Sequence, residues 1–210
     1  MTQIIIVRHG ESQGNKSGLI CGWHDCELTE FGKEQAKQTS VALKGTKIDC
    51  FISSDLIRAR QTAQIISNEI GTPFIENPEL RERNCGILDG IPVEQALAHP
   101  KWDEFMQNPN GRIEGCETTQ ELYDRASNFI CEIVQKHENK TIMLSTHGGI
   151  LWVLVPFVLG ISLQNYRGLI GMDNCGLTII SHSKGVYALQ SLNITTHLGR
   201  HICSKPSWEF

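Results

Sequence analysis

Short apolar runs of strand length alternate along the chain with longer stretches in which apolar positions recur at helical spacing. The runs at 3–7, 50–53, 141–145, 177–181 and 186–192 predict strands. Between them, 29–43 reads as a helix capped by Thr29. The stretch 54–70 reads as another, with Leu56, Ala59, Ala63, Ile66 and Ile70 in one stripe. Thr118 and Glu121 have capping-box spacing ahead of a helix whose inner face would carry Leu122, Ala126, Phe129, Ile130, Ile133 and Val134. This alternation predicts an α/β fold with a mostly parallel sheet. The segment 86–115 breaks the pattern. It is rich in Pro and Asn with only short helical pieces, and is expected to lie over the sheet edge as a cap or lid.

A chain of 210 residues fits a single domain spanning 1–210, without repeats or linkers. The longest apolar stretch, 150–161, is interrupted by Pro156 and Gly160 and is shorter than the roughly 20 residues of a membrane span. It reads as a buried helix, so no membrane partner is expected. A net charge of −4 provides no global positive field to draw in nucleic acid, and any anion has to be bound by a local cluster. The eight cysteines contain no C-x-x-C pair, and the N-terminus reaches Arg8 and His9 after a short apolar run with no signal peptide. They are read as reduced, mostly buried thiols of a cytoplasmic protein, with no metal and no cofactor.

The candidate chemistry lies at strand ends. The first strand runs into Arg8-His9-Gly10-Glu11-Ser12, and the strand at 141–145 into Thr146-His147-Gly148-Gly149. Parallel neighbouring strands would bring both histidines to one edge, where open α/β sheets bind ligands, and the glycines allow close approach. A third strand ends at Ser53-Ser54 and opens the helix that carries Arg58 in its first turns. Two arginines, two histidines and a helix N-terminus make a pocket for a tetrahedral dianion.

These residues, with Asn15, Leu28-Thr29, Gly32, Gln35, Ala36, Thr62, Leu80, Glu82 and Gly86 in the same order, resemble the phosphoglycerate mutase-like branch of the histidine phosphatase superfamily. The resemblance implies that family's three-layer α/β/α fold. It implies that His9 attacks phosphorus as a neutral imidazole, that Arg8, Arg58 and His147 hold the phosphoryl group, and that Asn15 adds a hydrogen bond. Glu82 would serve as general acid and base, with its neighbours Arg81 and Arg83 pointing away from it. Cys21 and Gly22, just before the family's Gly-Trp-x-Asp turn, would touch substrate, as would Gly148. Cys21 reads equally well as a small buried hydrophobe.

The segment Glu82-Arg83-Asn84-Cys85-Gly86 has Cys85 in place of a Tyr of the mutases, and 86–115 offers only Lys101 and Arg112 as cations, with no Arg-Arg pair. Both departures favour hydrolysis of a small phosphorylated metabolite over 2,3-bisphosphoglycerate-dependent mutase activity. The C-terminal His197-Leu198-Gly199 is similar to a segment of the metal-independent phosphoserine phosphatases and would turn His197 toward substrate. A rival motif, Gly10-Glu11-Ser12-Gln13-Gly14, satisfies G-x-S-x-G and would make Ser12 the nucleophile of a serine hydrolase. Nothing precedes it to build an oxyanion hole, and that reading leaves Arg8 and Arg58 unemployed. The apolar C-terminal strands leave a homodimer possible.

Overall fold

The computed structural model describes residues 1–165 and 171–201. At its centre is a six-stranded sheet in the order β3-β2-β4-β1-β5-β6. The strands are β1 (Thr2–Arg8), β2 (Cys50–Ser53), β3 (Ile75–Glu76), β4 (Thr141–Thr146), β5 (Leu177–Ser183) and β6 (Val186–Ile194). The first four are parallel; β5 and β6 complete the sheet antiparallel at one edge. The predicted mostly parallel sheet is present. The short, exposed β3 was not foreseen, because two residues carry no periodicity.

Side chains alternate across β1 with the two-residue period of a strand. Ile4 and Ile6 join Ile142 and Leu144 of β4 in one core with α6 (Thr119–Lys136) and α7 (Gly148–Leu159). Ile5 and Val7 face the opposite way, into a second core with Phe51, Met143, Ala63 and Ile66. That side is covered by α2 (Glu30–Ala42) and α3 (Ile57–Ile70). Two apolar sheet faces, each covered by helices, give the three layers.

The predicted caps are present. Thr29 Oγ1 accepts Gly32 N–H at 3.0 Å, and the Thr118/Glu121 box closes with hydrogen bonds of 3.1 and 2.8 Å. The helix α3 starts at Ile57, three residues later than the predicted 54–70. The Ile57 N–H is satisfied at 2.7 Å by Asp25 of a separate loop, a partner that no local pattern shows. The apolar helix α7 is buried along most of its length and ends at Gly160, whose φ of 66° stops it. No helix among the described residues is long and apolar enough to cross a membrane.

The segment 86–115 holds one 3₁₀ turn (Gly86–Leu88), α4 (Val93–Leu97) and α5 (Trp102–Gln107). Leu88, Ala96, Phe105 and Ile113, with Cys116 just beyond the segment, form a small core. The segment is strapped to the loop that follows α1 (Gln13–Lys16) by paired backbone bonds between Ile20 and Gly90–Ile91. The described cysteines are free thiols; Cys203 lies outside the described residues.

Candidate active site

The β1–β4 register pairs Arg8 with Thr146, and His9 N–H continues the ladder to Thr146 O at 2.9 Å. His9 and His147 are therefore the next residues out of neighbouring parallel strands, and their rings lie 5.2 Å apart. Both are buried. His9 Nδ1 lies 2.8 Å from Gly10 O, which can only accept, and Arg58 Nε–H points at His9 Nε2 at 3.3 Å. These partners select the neutral ring with its proton on Nδ1 and a lone pair on Nε2. Burial, then the charges of Arg58 and Arg8, hold the His9 pKa well below the ordinary imidazole range; the Gly10 bond opposes them. His147 is depressed in the same direction, by burial first and then by Arg58, His9 and Arg8.

Arg58 is fully buried. Besides His9, it donates to the carbonyls of Cys21 (2.9 Å), Gly22 (2.8 Å) and His24 (3.1 Å). Arg8 is anchored through Nη1 on Met172 O. His147 Nε2 meets Ser54 Oγ at 2.9 Å, while its Nδ1 is buried without a hydrogen-bond partner.

Above this cluster opens a cavity of about 240 Å³, lined by Arg8, His9, Asn15, Cys21, Glu82, Cys85 and Gly148 among others. The Glu82 carboxylate is fixed from both sides, by Arg83 N–H at 2.8 Å and Gly149 N–H at 3.0 Å. Its neighbours' charged groups do point elsewhere. Arg81 pairs with Asp55 at 2.5 Å and lies over Trp23, and Arg83 donates to Glu117 O while stacked 3.7 Å from the Phe105 ring. Asn15 Oδ1 is occupied by Ser12 and Asn174, leaving its amide NH₂ as the group available to a ligand. Burial and the neighbouring Cys26 push the Cys21 thiol up to about 12, so it lines the cavity as a neutral group.

Two residues assigned to substrate lie outside the cavity lining, and the rival motif is structural. Gly22 is buried away from the cavity: a Cβ there would stand 2.6 Å from Arg83 O and 2.8 Å from Cys85 N, so glycine permits a close backbone crossing. His197 does not line the cavity either; its Nε2 lies 3.1 Å from both Thr39 Oγ1 and Cys175 O, on the α2 side of the sheet. Ser12 is fully buried and caps α1, exchanging hydrogen bonds with Asn15, which removes the serine hydrolase reading. Asn174 Nδ2 holds His9 O at 2.9 Å, and Asp89, which accepts from the N–H groups of the 21–24 loop, has no counterpart in the sequence reading. Each reaches its partner across a long stretch of chain, and no sequence spacing reports that.

Residues 4–195 match the model of the histidine phosphatase superfamily, branch 1. The chain belongs to that family. This histidine phosphatase superfamily member is 33% identical over 187 residues to a probable phosphoglycerate mutase, GpmB, of Erwinia tasmaniensis, covering 88% of this chain and 86% of that one. It is 28% identical over 204 residues to an uncharacterized phosphatase, PhoE, of Bacillus subtilis, covering 96% of this chain and 100% of that one. Among solved structures it is similar to phosphoserine phosphatase from Entamoeba histolytica in complex with 3-phosphoglyceric acid. That likeness has a TM-score of 0.85 at 28% identity over 94% of this chain and 100% of that one. The superfamily member is thus a phosphatase/mutase-type enzyme on the phosphoglycerate mutase-like fold predicted from the sequence.

Proposed function

We propose that this enzyme hydrolyses a small phosphomonoester through a phosphohistidine on His9. The observation that carries the reading is the buried, neutral His9 with its Nε2 lone pair set among Arg8, Arg58 and His147, beside the Glu82 carboxylate. In the first step Nε2 forms the N–P bond, the ester P–O bond breaks, and protonated Glu82 gives its proton to the leaving oxygen. In the second, Glu82 takes a proton from water as the water oxygen attacks phosphorus. The N–P bond breaks, releasing inorganic phosphate and restoring neutral His9. Arg8 and the Asn15 amide, which line the cavity, and Arg58 and His147, packed behind them against His9, are the donors for the equatorial oxygens.

Hydrolysis rather than mutase transfer is supported by the cavity wall. Beyond the phosphate end it is formed by Leu19, Ile20, Leu88, Val93, Trp102, Phe105, Met106 and Trp152. The two cations that 86–115 offers are elsewhere: Lys101 is exposed, and Arg112 pairs with Glu121 at 2.5 Å. Arg83 lies in the wall but is held against Phe105 and Glu117 O. Such a wall suits a phosphomonoester with an apolar or aromatic body better than a doubly charged one. With His197 turned to α2, the recognition residue that hinted at phosphoserine is missing from the cavity. The mutase reading has the similarity to GpmB in its favour.

The test is a phosphate-release panel of aromatic, aliphatic and phosphoglycerate esters, run beside a bisphosphoglycerate-primed mutase assay. Aryl phosphates are expected to give the highest kcat/KM, and His9→Ala to abolish turnover. Mutase turnover exceeding phosphate release would overturn the hydrolase reading.

A further inference from the structure

The loop at 21–24 has both of its polar edges occupied, by residues of opposite charge. On its N–H edge, Gly22, Trp23 and His24 donate to the Asp89 carboxylate at 2.7, 2.7 and 2.8 Å. On its C=O edge, Cys21, Gly22 and His24 accept from the buried Arg58 guanidinium. A peptide unit is planar, so the C=O of one residue and the N–H of the next are fixed antiparallel. The 21–22 and 22–23 peptide units therefore each join Asp89 directly to Arg58, N–H to carboxylate and C=O to guanidinium. Charge at either end of such a unit polarises it and strengthens the bond at the other. The same loop also ties down the Glu82 segment: Trp23 Nε1–H donates to Glu82 O at 2.8 Å, and Gly22 crosses the 83–85 backbone in close contact.

We propose that Asp89 is a positioning residue for phosphoryl transfer: through these two shared peptide units it orients Arg58, and through Arg58 the attacking nitrogen of His9. The proposal rests on the phosphohistidine reading above. Asp89 belongs to the cap segment, immediately after its 3₁₀ turn, so the cap contributes to the phosphate site without touching phosphate. Without the carboxylate, the three N–H groups would turn to water and the carbonyl fence around Arg58 would loosen. The guanidinium would then be misplaced when charge builds up on the transferring phosphoryl group.

The experiment is a double-mutant cycle on the full chain with Asp89→Asn, Arg58→Ala and the pair, reading kcat and KM for p-nitrophenyl phosphate and the affinity for orthovanadate. Asp89→Asn is expected to lower kcat about tenfold, ~1.4 kcal/mol of transition-state stabilisation. KM should change by less than about threefold, because the orienting effect is realised on the reacting phosphoryl group. In the Arg58→Ala background the same substitution should change neither kcat nor vanadate affinity by more than about twofold. Full kcat in Asp89→Asn, or an undiminished tenfold loss in the Arg58→Ala background, overturns the proposal. Should the Asn variant not fold, Asp89→Glu, which keeps the charge one methylene further out, is read in the same cycle by the same criterion. Turnover surviving in His9→Ala overturns the phosphohistidine reading instead, and leaves the coupling of Asp89 to Arg58 to be decided by vanadate affinity alone.

Discussion

Substituting Gly149 by Ala separates what the active site needs from what the fold prefers. Gly149 is the second residue of α7, with no positive φ, so alanine fits the backbone. In a helix, Gly→Ala is worth about 0.5–1 kcal/mol of stability. The new Cβ, however, would overlap Glu82 Oε1 and stand 3.1 Å from the Glu82 carboxyl carbon. Carbon–carbon contacts settle at about 3.5–4.0 Å. The carboxylate must therefore retreat by roughly 1 Å, off the Gly149 N–H that now holds it at 3.0 Å. A misplacement of about 1 Å at a reacting group costs on the order of 10²-fold in rate. The expected variant is as stable as the parent or more so in urea denaturation, and about a hundredfold slower in kcat on an aryl phosphate. An active site that tolerates the substitution with full kcat would show that the observed carboxylate position is not the one the chemistry uses.

The remaining predictions are more compact. His9 and His147 are buried with pKa values below the free value of 6.5, so below that pH the unfolded chain binds protons that the native state does not. Stability should be flat above pH 6.5 and fall as pH is lowered, by up to about 1.4 kcal/mol per pH unit for each ring; urea titrations at several pH values check it, and stability that rises on acidification contradicts it. Ile130→Ala, in the core under α6, should cost about 2–5 kcal/mol in the same assay. In the proposed mechanism Arg8 and Arg58 supply the positive charge at phosphorus, and among the described residues no group of three or more His, Cys, Asp or Glu is arranged to hold a metal ion. Turnover should be unchanged in excess chelator; its loss would mean that a metal participates. Trp102→Ala should raise KM for an aryl phosphate severalfold more than for a small aliphatic one, and equal effects on both would remove Trp102 from the wall that contacts the substrate body.

How legible a residue was depended on how far away its partner lies. The strands β1, β2, β4, β5 and β6 and the buried face of α6 carry their burial pattern in local spacing, and so they were readable. Arg8, His9 and His147 stand at ends of such strands, so their convergence follows once β1 and β4 are taken as parallel neighbours. The start of α3 was misread because Asp25, remote from it in the chain, satisfies its first N–H. Gly22 and His197 were assigned to substrate by likeness to relatives, yet Gly22 is required by a backbone crossing and His197 by contacts with Thr39 and Cys175. Asp89 has no local signature, because it acts on peptide groups far away in the sequence.

The pairing of β1 with β4 has a consequence for how activity is lost. Arg8 and Thr146 are the last rungs of the central ladder, and His9 N–H is bonded to that rung. The amides that hold the two histidines side by side therefore belong to the part of the molecule that opens only with the whole. Amide exchange at His9 should be among the slowest in the protein, and inactivation by urea should coincide with the unfolding of the sheet rather than precede it.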